Sequence, residues 1–230
     1  MPLTALFFGS IGTLAETSDI QRRAFNLAFR TAGLDWVWDR DSYRRMLTQP
    51  GGKARIAAFA ERSGDTVDVD ALHRAKTEIF AGLVRRQGLA PRAGVQDLLR
   101  AAKARGLATG FCTSTGRPQV DLTLAGLAPD VQATDFDWIG DRSQVATGKP
   151  APDIFHRGAT TLDVELDRTL VIEDTPESAQ AALDAGCRVI GFPGWAAEGR
   201  PFPEGVEDVV TRLSPDILLR DGPAPSVAAE

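Results

Sequence analysis

The chain has 230 residues, 43% hydrophobic and 25% charged, with a formal net charge of −5. Area scaling for this length buries about 70% of the unfolded surface, so a core forms without staples and general disorder is excluded. Apolar runs such as residues 3–8 are far too short to cross a bilayer, and two cysteines and two histidines exclude a disulfide framework and a His-rich metal site.

Residues 3–8 read as a short buried strand ending in a Gly/Ser/Thr turn. The period then changes: Ile20, Ala24, Phe25, Leu27 and Ala28 recur at helical spacing, and Ser18 with Gln21 forms a capping-box start. Helical patterns run to about Arg86, broken at Pro50-Gly51-Gly52 and Ser63-Gly64-Asp65. The segment 16–88 carries 13 Lys/Arg against 10 Asp/Glu, a net of +3 opposed to −8 for the remainder. That asymmetry suits a small anionic ligand; it is too interspersed for nucleic acid.

From Leu89 the pattern alternates. Val95, Leu98, Leu99 and Ala102 mark a helix stopping at Gly106, and residues 107–112 form a strand. Pro118 fits the first turn of the next helix. Helices at 153–162 and 176–185 then alternate with strands at 169–172 and 189–192. The chain therefore reads as α/β: a doubly wound, Rossmann-like parallel sheet (1–15 and 89–220) with an inserted all-α cap (16–88) and a flexible Pro/Ala/Ser tail (221–230). The amino terminus lacks a basic-then-apolar leader pattern, and with two cysteines this predicts a cytoplasmic protein without a membrane partner.

In such sheets the site lies at the carboxyl ends of the strands. Residues 8–14, 112–115, 149–155 and 172–175 should meet there. Hydroxyls and amides at Thr113 and Ser114, with the charge of Lys149, suit a phosphate, and Glu173 and Asp174 offer oxygens suited to magnesium. Each has a plainer reading: Thr113 as a turn cap, Lys149 as a solvated side chain, Asp174 as the N-cap of the helix at Pro176.

The order and spacing resemble the haloacid dehalogenase superfamily with a helical cap. Lys149 to Phe155 (KPAPDIF), and Ile172 to Asp174 followed by Ala181 to Gly186, carry the likeness. In the cap, residues 23–26, 32–36 and 51–56 resemble the branch that dephosphorylates sugar bisphosphates beside the Calvin cycle, including xylulose-1,5-bisphosphate. The resemblance implies a phosphorylated small metabolite as ligand. It makes Glu16 a contact to substrate hydroxyls, Gly52, Lys53 and Arg55 the cap's substrate groups, and the backbone carbonyl of Ile11 with Asp174 and Glu173 the metal set.

One departure is decisive for the chemistry. The family pattern opens Asp-x-Asp, nucleophile and acid/base, whereas those positions here are Gly9 and Ile11. Glycine cannot attack phosphorus and isoleucine cannot carry a proton. The expectation is a phosphate-ester binder strongly impaired as a phosphatase, with weak magnesium affinity. The alternatives are an active magnesium-dependent hydrolase using an unusual nucleophile or an activated water, or a subunit with a protein partner. Ser10 is adjacent, but in an extended turn its side chain is expected to point away from the direction of residue 9, and no histidine is close in sequence to activate it.

Overall fold

A computed structural model describes residues 1–47 and 51–219. The expected break at Pro50 and the tail at 221–230 lie outside the described residues. Strand β1 (Ala5–Phe8) runs into a four-residue helix α1 (Ile11–Leu14) where only a turn was expected. Helices α2 (Ser18–Thr31), α3 (Arg40–Met46), α4 (Gly52–Ser63) and α5 (Val69–Gln87) follow. Then come α6 (Val95–Ala104), β2 (Ala108–Cys112), α7 (Arg117–Leu127), β3 (Trp138–Gly140) and α8 (Asp153–Leu162). The chain continues with β4 (Thr169–Glu173), α9 (Pro176–Asp184), β5 (Arg188–Gly191) and β6 (Asp208–Val209).

The strands form one parallel sheet in the order β3-β2-β1-β4-β5-β6. Strand order therefore reverses direction at β1, the topological switch point of a doubly wound sheet. Side chains alternate across it. Leu6, Phe8, Leu170 and Ile172 join the cluster beneath α6 and α7, while Ala5, Phe7 and Val171 face α8 and α9. Covering both faces explains why β1 and β4 are unbroken apolar runs rather than alternating ones. Strands β3 and β6, with three and two residues, carry too little periodic signal to be found from sequence.

The helices α2 to α5 share an aromatic core of their own: Phe25, Phe29, Trp36, Trp38 and Tyr43 with Ile56 and Leu72. The Asn26 carboxamide fixes this core by donating to the Trp38 carbonyl and accepting from the Trp38 amide, both at 2.9 Å. Helix α2 starts one residue earlier in its cap than expected. Thr17 is the N-cap and Ser18 the first helical residue, because Glu16 Oε1 accepts the Ser18 amide at 2.8 Å. Thr175, not Asp174, caps α9, its side chain accepting from the Ser178 amide. That leaves Asp174 free for the strand-end cluster. No helix among the described residues is long and apolar enough to cross a membrane.

Candidate functional site

The loops after β1 and β4 lie side by side because the two strands are paired, Phe8 opposite Ile172. Gly9, Ser10 and Ile11 thus face Glu173 and Asp174 across the switch point. Lys149, from the loop before α8, reaches in from the side. Its ammonium donates to the Gly9 carbonyl oxygen and, at 2.5 Å, to Glu173 Oε1. Both side chains are buried, at 7% and 0% exposure. Burial pushes the Glu173 carboxyl up to about 7 even though the Lys149 charge pulls it down. Glu173 Oε2 is buried with no hydrogen-bond partner among the described residues.

Gly9 explains how this arrangement fits. A Cβ there would overlap Glu173 Oε1 outright, so the carboxylate of Glu173 fills the space that a side chain at residue 9 would take. Gly12 stands in the same relation to Asp174 Oδ2. Ile11 turns its side chain toward the hydrophobic cluster beneath α6 and α7, and its carbonyl accepts the Ala15 amide at 2.9 Å.

Ser10 faces away from the direction of residue 9. Its backbone is extended, with φ −158° and ψ 168°, so its side chain does leave residue 9 on the opposite side. Asp174 occupies that side, and Ser10 Oγ donates to Asp174 Oδ1 at 2.6 Å. Alternation along β4 places Glu173 and Asp174 on the two sides, a pairing visible only once the strands are neighbours. Burial raises the Asp174 carboxyl above its ordinary range, opposed by the Ser10 hydroxyl and by the charges of Lys149 and Arg92.

The remaining expected groups are placed as follows. Thr113 Oγ1 accepts the Thr115 amide at 3.1 Å, which closes the turn after β2. Ser114 Oγ accepts the Lys149 amide at 2.7 Å and so fixes the loop that carries the lysine. Glu16 Oε2 accepts the Trp195 amide at 2.7 Å. Lys53 pairs with Asp70 at 2.5 Å within the cap, both side chains exposed. Arg55 donates to the Met46 carbonyl at 3.1 Å and lies 5.5 Å from the Tyr43 ring. Gly52 opens α4 where a Cβ would come within 2.7 Å of His73 Nε2.

Two residues had no signal in the sequence. Arg92 donates to the carbonyls of Gly12, Phe192 and Pro193 at 2.7–2.8 Å and stacks 3.5 Å from the Phe192 ring, tying the loop after β1 to the loop after β5. Trp195, from that latter loop, packs with the cap cluster, 6.4 Å from Tyr43 and 5.0 Å from the Arg40 guanidinium. Neither follows a periodic pattern or a motif, since both act on partners distant in the chain.

A doubly wound parallel sheet with helices inserted after its first strand, and a lysine with two carboxylates at the switch point, defines a Rossmann-like α/β fold with a polar cluster at its strand ends. The chain belongs to the haloacid dehalogenase-like hydrolase family, which matches residues 3–186. Hydrolases of this family generally use magnesium. The chain is similar to Protein CbbY of Cereibacter sphaeroides, 38% identical over 203 residues, covering 87% of this chain and 88% of that protein. Protein CbbY of Rhodobacter capsulatus is 36% identical over 207 residues, 88% of this chain and 90% of that protein. A crystal structure of CbbY from Rhodobacter sphaeroides in complex with phosphate matches with a TM-score of 0.78 at 36% identity, covering 91% of this chain and 94% of that one. A mutant form of that protein, in complex with xylulose-(1,5)bisphosphate, matches equally well.

Proposed function

We propose that this protein is a cytoplasmic binder of a phosphorylated sugar, strongly impaired as a phosphatase, with weak magnesium affinity. The observation that carries the reading is the Gly9–Glu173–Lys149 arrangement. The positions expected to attack phosphorus and to shuttle its proton hold Gly9 and Ile11, while Lys149 and Glu173 are present with buried side chains and Asp174 is present and half-buried. Similarity to a protein crystallised with phosphate and with xylulose-(1,5)bisphosphate supports the ligand class. Without a nucleophile the loss in turnover is on the order of 10⁶.

The test is phosphate release from a panel of sugar mono- and bisphosphates, alongside calorimetric binding of the same compounds. Binding without turnover by the native chain, and turnover by Gly9→Asp/Ile11→Asp, is the expected result. Absence of binding to every phosphate ester in the panel defeats it. Because Glu173 occupies the space beside Gly9, the double variant must first displace that carboxylate. Crystallography of the variant reads this directly.

A second reading is favoured by the hydrogen bond from Ser10 Oγ to Asp174 Oδ1. Here Asp174 takes the hydroxyl proton, Ser10 Oγ attacks phosphorus, the ester P–O bond breaks with the leaving alkoxide taking that proton from Asp174, and water then hydrolyses the phosphoserine to phosphate and free Ser10. Turnover by the native chain that Ser10→Ala abolishes, with a phosphoserine trapped on Ser10, would select this reading over the first.

A further inference from the structure

We propose that the cleft holds no resident divalent cation and that the Lys149 ammonium is the cation that meets the phosphate, making this a metal-independent phosphate site. The inference rests on the phosphate-ligand reading above and concerns how the same site handles charge.

Most of the oxygens that a magnesium ion would use are committed to donors of this chain. Glu173 Oε1 accepts from Lys149 at 2.5 Å. Asp174 Oδ1 accepts from Ser10 at 2.6 Å, and its Oδ2 occupies the space that a side chain at Gly12 would take. Glu16, the next carboxylate along, is held by the amides of Ser18 and Trp195 at 2.8 and 2.7 Å. The Ile11 carbonyl is bonded into α1 through the Ala15 amide. Among the described residues, Glu173 Oε2 and Asp174 Oδ2 accept no hydrogen bond, and the former is buried; two oxygens fall short of the set magnesium needs. No group of three His, Cys, Asp or Glu residues that could hold a metal exists among the described residues. Magnesium demands near-octahedral oxygens and gives up water reluctantly, so a donor set already bonded to an ammonium and a hydroxyl does not fit it.

The same set does fit an ammonium. Lys149 has three N–H donors. One goes to the Gly9 carbonyl and one to Glu173, which leaves one for a phosphate oxygen. The charge count is consistent with the ion's absence. Relative to the Asp-x-Asp pattern the site has lost two carboxylates, two negative charges, and the omitted ion would have brought two positive ones. The formal field meeting a phosphate is therefore unchanged, and the Lys149 charge sits where burial weakens its competition with water.

Two measurements on the native full-length chain test this. In the first, Mn²⁺ stands in for magnesium and its free signal is followed by electron paramagnetic resonance as protein is added. The expected outcome is no stoichiometric uptake. In the second, binding of inorganic phosphate and of xylulose 5-phosphate is measured calorimetrically in EDTA and in excess Mg²⁺. Affinities agreeing within about twofold are expected, with about a tenfold to hundredfold loss in Lys149→Met, the range for one charge-assisted hydrogen bond. Uptake of one Mn²⁺ that Asp174→Asn removes overturns the inference, as does phosphate binding that tightens tenfold or more with Mg²⁺; either leaves the phosphate-ligand reading standing. Failure to bind phosphate under both conditions overturns both readings. The native measurements decide the matter even where Lys149→Met does not fold.

Discussion

Replacing Lys149 by methionine keeps the side-chain volume and removes the one cation that faces Glu173 at 2.5 Å. Because the two groups are 7% and 0% exposed, solvent cannot stand in for the lost partner. Removing one member of a buried pair costs about 3–5 kcal/mol when the other remains charged. Glu173 has its folded value raised from 4.5 to about 7, so the native state binds the extra proton between those values. Its contribution to stability is accordingly full below about pH 4.5 and lost as pH rises through about 7, a swing of about 3 kcal/mol. Removing Lys149, which pulls this value down, raises it further and extends the declining limb above pH 7. The penalty of Lys149→Met is therefore expected to be about 1 kcal/mol near pH 5.5, where Glu173 is neutral and one hydrogen bond is lost, and about 2–2.5 kcal/mol near pH 8, because proton uptake by Glu173 caps the rise at about 1.4 kcal/mol per pH unit above 7. Urea unfolding of native and variant proteins at both pH values measures it. Adding Glu173→Gln should recover most of the loss at pH 8. A penalty of equal size at the two pH values, or no recovery in the double variant, would refute the reasoning.

Gly12→Ala is expected to push Asp174 out of its place, costing about 1–3 kcal/mol in urea unfolding and disturbing the Ser10 hydrogen bond; an unshifted midpoint would count against the close approach. Lys76, buried against Phe25 and Phe80 and donating to the Gln21 side chain, is pulled from 10.5 down to about 8 by burial first and by the Arg55 charge second. The unfolded chain binds the extra proton between those values, so native stability rises with pH from about 8 to 10.5. Lys76→Met should therefore stabilise the protein by about 1–3 kcal/mol at pH 7 and flatten that rise, whereas destabilisation at pH 7 would show that the ammonium is compensated. Trp195→Ala removes the contacts with Tyr43 and Arg40 that hold the cap against the core. A larger radius of gyration in small-angle scattering is expected, and an unchanged radius would mean that other contacts suffice.

Much of the architecture was legible in the chain because its signals are local. The apolar runs at β1, β2 and β4 and the helical periods of α2, α6 and α8 each fit within a dozen residues, and Gly186, with φ 88°, ends α9 as its position suggests. The absence of carboxylates at Gly9 and Ile11 is equally a property of the sequence. The tertiary structure decided how those gaps are filled. Glu173 moves into the space beside Gly9 and Ser10 meets Asp174 because strand pairing brings residues 164 positions apart into contact. The Arg92 bridge and the Trp195 contact with the cap have the same origin, since both join loops that only the folded sheet makes neighbours. Local spacing encodes elements; the charge state and occupancy of the site depend on burial and on long-range neighbours, which no window of sequence contains.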